Sequence, residues 1–435
     1  MCRPDGALLR AHPAAGDSGV NILLVNHYAG SPRHGMEYRP YYLAREWVRA
    51  GHRVQIVAAS FSHVRSRQPE LPAEGASAFD ETIDGIAYRW LRTPAYRGNG
   101  VGRAFNILRF LTRLWRISKD LAMAFRPDVV IASSTYPMDI WVGRRLARIA
   151  RAALVYEVHD LWPASPIELN GMSPSHPFIR LCQKAEDDAY RDADAVVSML
   201  PCVAEHMQRH GLDVRKLHIV PNGVAPEDWS GEPAPLEDAL AVHLRAMRNQ
   251  GRTLVGYAGS HGLPNALDVL LDAAALLKEE PFAFVLVGDG HEKARLAERV
   301  RAEGLRHVAL FDPIRKAQIP EFLHALDIAY IGWRRVAIYR FGIAPNKLMD
   351  YMMAGCPVLH SVEAGNDPVA EAGCGLTVAP ESAVAVAAGL RDLAALTPGE
   401  RAAMGARGRA FVLAHHTYPV LARRFLDTIA PRTAR

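Results

Sequence analysis

The chain has 435 residues, 49% apolar and 22% charged, which is too long for one ordinary core and suits two domains of about 200 residues each. It contains no run of about 18 apolar residues, and its start, MCRPDGALLRAHPAAGDSG, lacks an apolar h-region; a spanning helix and a secretory signal are therefore not expected, and residues 1–19 read as a loose tail. The net charge of +5 is uneven: the first 222 residues carry 28 Lys and Arg against 22 Asp and Glu, so the first half is the one expected to face something anionic.

In chain order, VNILLVNHY (20–28) is a short β-branched run, followed by AGSPRHG and a helical pattern, and HRVQIVAA (52–59) is the next strand. Strand, loop, helix and strand make a βαβ unit and imply a parallel sheet. The rhythm recurs at 127–134, 152–160, 193–200 and 216–224. APEDWSGEPAPLED (225–238) is rich in proline and acid and reads as the approach to an interdomain linker. A second series follows at 253–260, 282–290, 307–313, 326–332, 356–362 and 375–380. The expectation is an α/β chain of two Rossmann-like domains, 20–225 and 226–410, whose parallel sheets face across a cleft. A last helix over 411–435 is expected to cross back to the first domain. Ligands of such sheets bind beyond the carboxyl ends of the strands. Five scattered cysteines (Cys2, Cys182, Cys202, Cys356, Cys374) with no CxxC spacing argue against a zinc or disulfide framework and for a reducing cytoplasm.

Five constellations carry chemistry. In AGSPRHGM, Gly30 and Gly35 permit close backbone approach ahead of a helix start, although the spacing is not GxGxxG and a plain βα turn would also account for it. In YEVHDLWP, His159 and Asp160 fall where a strand ends; a neutral imidazole can hydrogen-bond a sugar hydroxyl or take a proton, and an adjacent acid can orient it. After the strand within 253–260, Gly259-Ser260-His261-Gly262 lead into an amphipathic helix and form an anion-ready turn, and Gly288-Asp289-Gly290 end another strand and bend the chain, where a tight turn with no ligand role would also account for them. In FGIAPNKLMDYMMAGCPVL, Pro345, Asn346 and Lys347 read as a restrained turn, a capping-type residue and a cation at a helix start. A lysine is unfavourable at the positive end of the helix dipole unless an anion sits there, and one lysine with free N–H groups suits a diphosphate. Asp350, one turn on, is placed to accept bonds from a ribose diol, and Arg340 is a candidate second cation.

These pieces, in this order, resemble family 4 of the glycosyltransferases, retaining enzymes of the GT-B fold, over about residues 20–430. PNGV, YAGS, LVGDG, LDIAYIG, YMMAGCPV and AGCGLTV carry the likeness. NHYAGSPRHGM, HDLWP and APNKLMDYMMAG look like the branch that builds O-antigen, capsule and exopolysaccharide. The resemblance implies transfer of a sugar, often an N-acetylamino or 6-deoxy sugar, from a UDP-sugar to a glycan or polyprenyl-diphosphate-linked acceptor. It places His159 at the donor sugar, Asp350 at the ribose, and Asn346 and Lys347 near the diphosphate. Two departures stand out. Counting back eight places from Asp350, the first glutamate of the E-x7-E motif falls on Gly342, and the basic pair usual after the YAGS-type strand is absent from SHGLPNALD.

No paired carboxylate suits a double displacement, so front-face attack with retention is expected, the acceptor being deprotonated by the leaving phosphate. With no DxD or metal-ligand cluster, neither a metal nor a cofactor is expected. Residues 96–128 carry seven basic residues, with Arg109, Arg113 and Arg116 on one helical face beside Phe110, Leu111, Leu114 and Trp115. That composition suits peripheral contact with an anionic membrane, on the inner face of the plasma membrane, as well as a plain crossover helix. A nucleic-acid partner is not expected, since no known module interleaves the basic residues with aromatics. A sugar-nucleotide epimerase and a non-catalytic sugar-nucleotide-binding protein are the alternative readings, separated by a new sugar isomer in the first case and by absence of turnover in the second.

Overall fold

A computed structural model describes residues 19–429 apart from 71, 73, 74 and 99, so nearly all of the expected tail lies outside the described residues. The chain divides into two compact units, one running to Pro221 and resuming at Tyr418, the other spanning Asn222–Thr417. The division thus falls ahead of the proline-rich stretch at 225–238.

The first unit is built on eight strands: β1 (Asn21–Val25), β2 (Arg53–Ala59), β3 (Ala78–Ile83), β4 (Ile86–Leu91), β5 (Val129–Ala132), β6 (Ala153–Val158), β7 (Ala195–Ser198) and β8 (Leu217–Ile219). Their order is β3-β4-β2-β1-β5-β6-β7-β8. All neighbours are parallel except β3, which pairs antiparallel with β4. The expected parallel sheet is thus observed, with one antiparallel edge strand added to it. The hairpin turns on Asp84 and Gly85, both at positive φ (50° and 80°), the left-handed pair that a two-residue hairpin demands. Buried apolar runs such as NILLV and VVIA fill the sheet interior, as strands covered on both faces require.

The second unit holds β9 (Thr253–Ala258), β10 (Phe282–Val287), β11 (Val308–Phe311), β12 (Ile328–Gly332), β13 (Val358–Ser361) and β14 (Gly375–Thr377). Their order is β11-β10-β9-β12-β13-β14, all parallel. Both sheets change winding direction beside their first strand, between β1 and β5 in one and between β9 and β12 in the other, and such switch points are where α/β sheets bind ligands.

The expected last helix is two. Pro398–His415 belongs to the second unit and Tyr418–Asp427 to the first. The latter is held against the helix Arg39–Arg49. Tyr42 stacks on Tyr418 at 4.7 Å, Trp47 meets Phe425 edge-on at 5.2 Å, and the Trp47 indole N–H donates to the Ala422 carbonyl at 3.1 Å. Trp47 and Phe425 are fully buried.

Candidate functional site

In the second unit, β9 delivers Tyr257, Gly259 and Ser260 to its carboxyl end, and β12 leads through a turn over Ala337–Phe341 into the helix Asn346–Met353. That route carries Lys347 back to Gly259. Its ammonium donates to Tyr257 Oη and to Asn265 Oδ1, both at 2.8 Å. A Cβ at Gly259 would stand 3.0 Å from Lys347 Nζ and 3.1 Å from Tyr257 Oη and so crowd both, and the φ of +151° also favours glycine there. Tyr257 Oη and the Asn265 amide each donate to the Ser260 carbonyl, at 2.8 and 2.9 Å, which fixes both of the lysine's partners. Two of three ammonium hydrogens are thereby used, and no carboxylate pairs with the charge among the described residues. Burial lowers the Lys347 pKa to about 8, as expected for a cation withdrawn from water without an anion beside it.

Asp350 lies one turn along the same helix. Its carboxyl accepts no hydrogen bond among the described residues, and burial raises its pKa to about 7, with Lys316 opposing and Asp228 assisting. Three other expectations meet a different local structure. Asn346 does not cap its helix: Pro345 occupies the cap position and no side chain bonds the free N–H groups. Arg340 is not brought to Lys347; it is exposed, donates to the Ala337 carbonyl at 2.7 Å and lies over the Phe341 ring. Gly342, where the resemblance puts a glutamate, has φ +95°, a conformation that favours glycine, and Asn366 braces the next residue by bonding both its N–H and its carbonyl. Gly288 sits tightly against Gly259, whose carbonyl would lie 1.8 Å from a Cβ there, and Asp289 is exposed, its side chain bonded to the N–H of Gly290.

In the first unit, His159 follows β6 and is buried beside Glu157, two residues earlier and therefore on the same strand face. Ser133 Oγ donates to Glu157 Oε2 at 2.7 Å, so it must accept from the 3.0 Å contact with His159 Nε2. This places a proton on Nε2 and leaves Nδ1 as the atom available to a substrate. Arg39 completes the group, donating from Nε to Glu157 Oε1 at 2.9 Å and to the carbonyls of Pro221 and Val220. Burial would raise the Glu157 pKa, but the Arg39 guanidinium and His159 hold it at about 2. Burial would likewise lower His159, but the Glu157 carboxylate carries it above the usual imidazole range. The acid that orients His159 is thus Glu157, and the expectation for Asp160 is corrected: that residue is exposed. Gly30 and Gly35 serve their own loop. A Cβ on Gly30 would meet the Gly35 carbonyl at 2.1 Å, and one on Gly35 the Ser66 hydroxyl at 2.4 Å.

Glu157, Arg39, Ser133, Tyr257 and Asn265 were not singled out in the sequence. The i, i+2 spacing of Glu157 and His159 on a strand was the available signal for the first of them. Among the described residues, Glu186, His206 and His210 are the one group of His, Cys, Asp or Glu whose ligand atoms lie within 4.8 Å of one another. The Gln183 amide already serves two of them, at 3.0 Å from Glu186 and 2.9 Å from His210.

Comparison with known proteins agrees with this division. Residues 34–223 match the family model described as a glycosyl transferase 4-like domain, and residues 252–395 match that of glycosyl transferases group 1. A protein of Escherichia coli K12 named for colanic acid biosynthesis glycosyl transferase, WcaI, is 25% identical over 57% of this chain and 62% of its own length. WbjE of Pseudomonas aeruginosa, named as a glycosyltransferase, is 23% identical over 73% of this chain and 78% of its own. Among solved structures, sucrose-phosphate synthase from Thermosynechococcus elongatus has a TM-score of 0.69 at 17% identity, covering 95% of this chain and 99% of that one. HepE of Anabaena, in complex with UDP and glucose, has a TM-score of 0.64 at 16% identity, covering 94% and 99%.

Proposed function

This chain belongs to the family 4 glycosyltransferases of the GT-B fold, and from that premise we propose that it moves a sugar, with retention, from a UDP-sugar to a lipid-linked or glycan acceptor in surface polysaccharide biosynthesis. One observation carries the reading: Lys347, a partly buried cation with no carboxylate partner, stands over Gly259 at the switch point of the second sheet. A buried charge without a counter-ion is costly, and a diphosphate supplies the missing anion. The UDP and glucose held by HepE support a uridine donor.

In this reading the second unit binds the donor. Lys347, with Gly259, Ser260, Asn346 and the turn at Gly288 and Asp289, receives the diphosphate, and Asp350 receives the ribose. As the sugar–oxygen bond breaks, negative charge grows on the leaving diphosphate, and the fixed ammonium stabilises it without reorganisation. The leaving phosphate takes the acceptor's proton, and the acceptor oxygen attacks from the same face, so the anomeric configuration is kept. Ser133, Glu157 and Arg39 hold the His159 ring in one orientation within the first unit. Neither metal nor cofactor is used. The first unit serves the acceptor, at the inner face of the plasma membrane. The helix Val101–Phe125 suits that place, exposing Phe105, Leu108, Trp115 and Met123 beside Arg109, Arg116 and Lys119.

The test is incubation of the full chain with a panel of UDP-, GDP- and ADP-sugars and a polyprenyl-diphosphate-linked sugar, with NMR assignment of the new linkage. A product that retains the donor's anomeric configuration is expected from a UDP-sugar; an inverted product, or a sugar isomer formed without acceptor, would overturn the proposal.

A further inference from the structure

The second unit holds a buried titratable ring that the donor reading leaves unused. His261 lies three residues beyond β9 and is fully buried, yet neither of its ring nitrogens has a hydrogen-bond partner among the described residues. Buried polar groups in folded proteins are nearly always paired, and each exception asks for a reason. Loose placement is not the reason here. The His261 N–H donates to the Asp289 carbonyl at 2.8 Å, and its own carbonyl accepts from Glu292 N–H at 3.0 Å, so the backbone is fastened on both sides.

The neighbours point to a ligand. The ring centroid is 6.0 Å from that of Tyr257, the residue whose hydroxyl accepts from Lys347. Nε2 lies 3.2 Å from where a Cβ on Gly288 would stand, and the Gly259 carbonyl is at 1.8 Å from that same point, so two glycine turns cover the ring where side chains would otherwise seal it. Burial first, and then the charges of Lys293 and Lys347, lower its pKa to about 4, with Asp289 opposing. The ring is therefore neutral at pH 7, with one nitrogen bearing hydrogen and the other free to accept.

We infer that His261 is a further residue of the donor site, donating its ring N–H to the diphosphate of a bound nucleotide sugar beside Lys347. The inference rests on the second unit being the donor-binding half. Gly288, whose Cβ would stand 3.2 Å from Nε2, leaves that nitrogen without a side chain over it, and the unpaired ring is the group offered to a phosphate oxygen. A neutral donor suits this place better than another lysine, because it adds a hydrogen bond without a second buried charge next to Lys347.

Calorimetric titration of UDP into the full chain at pH 7.5 tests this, using wild type, His261→Phe and His261→Gln. The expected result is at least tenfold weaker binding for His261→Phe, no more than threefold for His261→Gln, whose amide can still donate, and ligand-free melting temperatures no lower than that of wild type. UDP binding by His261→Phe equal to wild type overturns the inference while leaving the donor reading standing. A wild type that binds no UDP, GDP or ADP overturns the donor reading, and this inference with it. Should His261→Phe not fold, ¹⁵N-histidine NMR of wild type decides: the ring signal that is missing from His261→Gln moves on saturation with UDP if the inference holds, and stays fixed if it does not.

Discussion

Raising the pH from 7 to 9 discharges Lys347 in the proposed donor site, and the structure gives the size of the effect. Lys347 titrates at about 8 in the free protein, because it is withdrawn from water with no carboxylate to hold its charge. About nine-tenths of the molecules carry the ammonium at pH 7 and about one-tenth at pH 9, following directly from that value. A bound diphosphate stabilises the charged form and raises the pKa, so above pH 8 the complex must take up a proton that the free protein lacks. UDP affinity is therefore expected to fall about tenfold over this interval, or about 1.4 kcal/mol, approaching one decade per pH unit at the upper end. Of its neighbours, His261 titrates at about 4 and stays neutral, while Asp350, at about 7, completes its ionisation by about pH 8, so the slope above pH 8 is the one that reports Lys347. Titration calorimetry in buffers of different ionisation enthalpy reads affinity and proton uptake together. A flat profile from pH 7 to 9, or the same slope in Lys347→Met, would refute the reasoning.

Glu157→Gln should be severe for stability. It leaves the Arg39 guanidinium buried without its carboxylate, a change worth about 3–5 kcal/mol in comparable buried pairs; urea unfolding checks this, and a loss under about 1 kcal/mol would remove the pair from the account. Reversing Arg109, Arg116 and Lys119 to glutamate should abolish flotation of the chain with vesicles containing anionic lipid. Equal flotation of the variant, or none by wild type, would reduce the helix Val101–Phe125 to a solvated crossover.

Much of this was legible in the sequence because parallel strands buried on both faces read as plain apolar runs. NILLV, VVIA and FAFVLV announce themselves without knowledge of their partners. The strands β3 and β4 did not, since AFDETI is half exposed and two adjacent acids, Asp80 and Glu81, interrupt its apolar run. The Asp84-Gly85 pair between two alternating runs was the overlooked signal, a short-range cue for a tight hairpin. Of the residues proposed for the sites, those on strand ends and helix starts could be named from the sequence: His159, Gly259, Lys347 and Asp350. What escaped were the partners that fix them. Arg39 reaches Glu157 across 118 residues and Lys347 reaches Tyr257 across 90, and no local pattern encodes such meetings. Asp160 misled because adjacency in sequence on a strand end turns a side chain away, whereas Glu157, two places earlier, shares the face of His159. Asn346 was read as a cap from its residue type, yet the proline before it occupies that position.

The most direct measurement of the central claim is a thermal-shift comparison of wild type and Lys347→Met with UDP at pH 7. A ligand that binds the native state raises its melting temperature, by about 2.7 kcal/mol of added stability at one hundred times its dissociation constant. The expected result is a clear rise with UDP for wild type and little or none for Lys347→Met, the variant melting no lower than wild type without ligand. An equal rise in both would contradict the assignment of Lys347 to the donor's diphosphate.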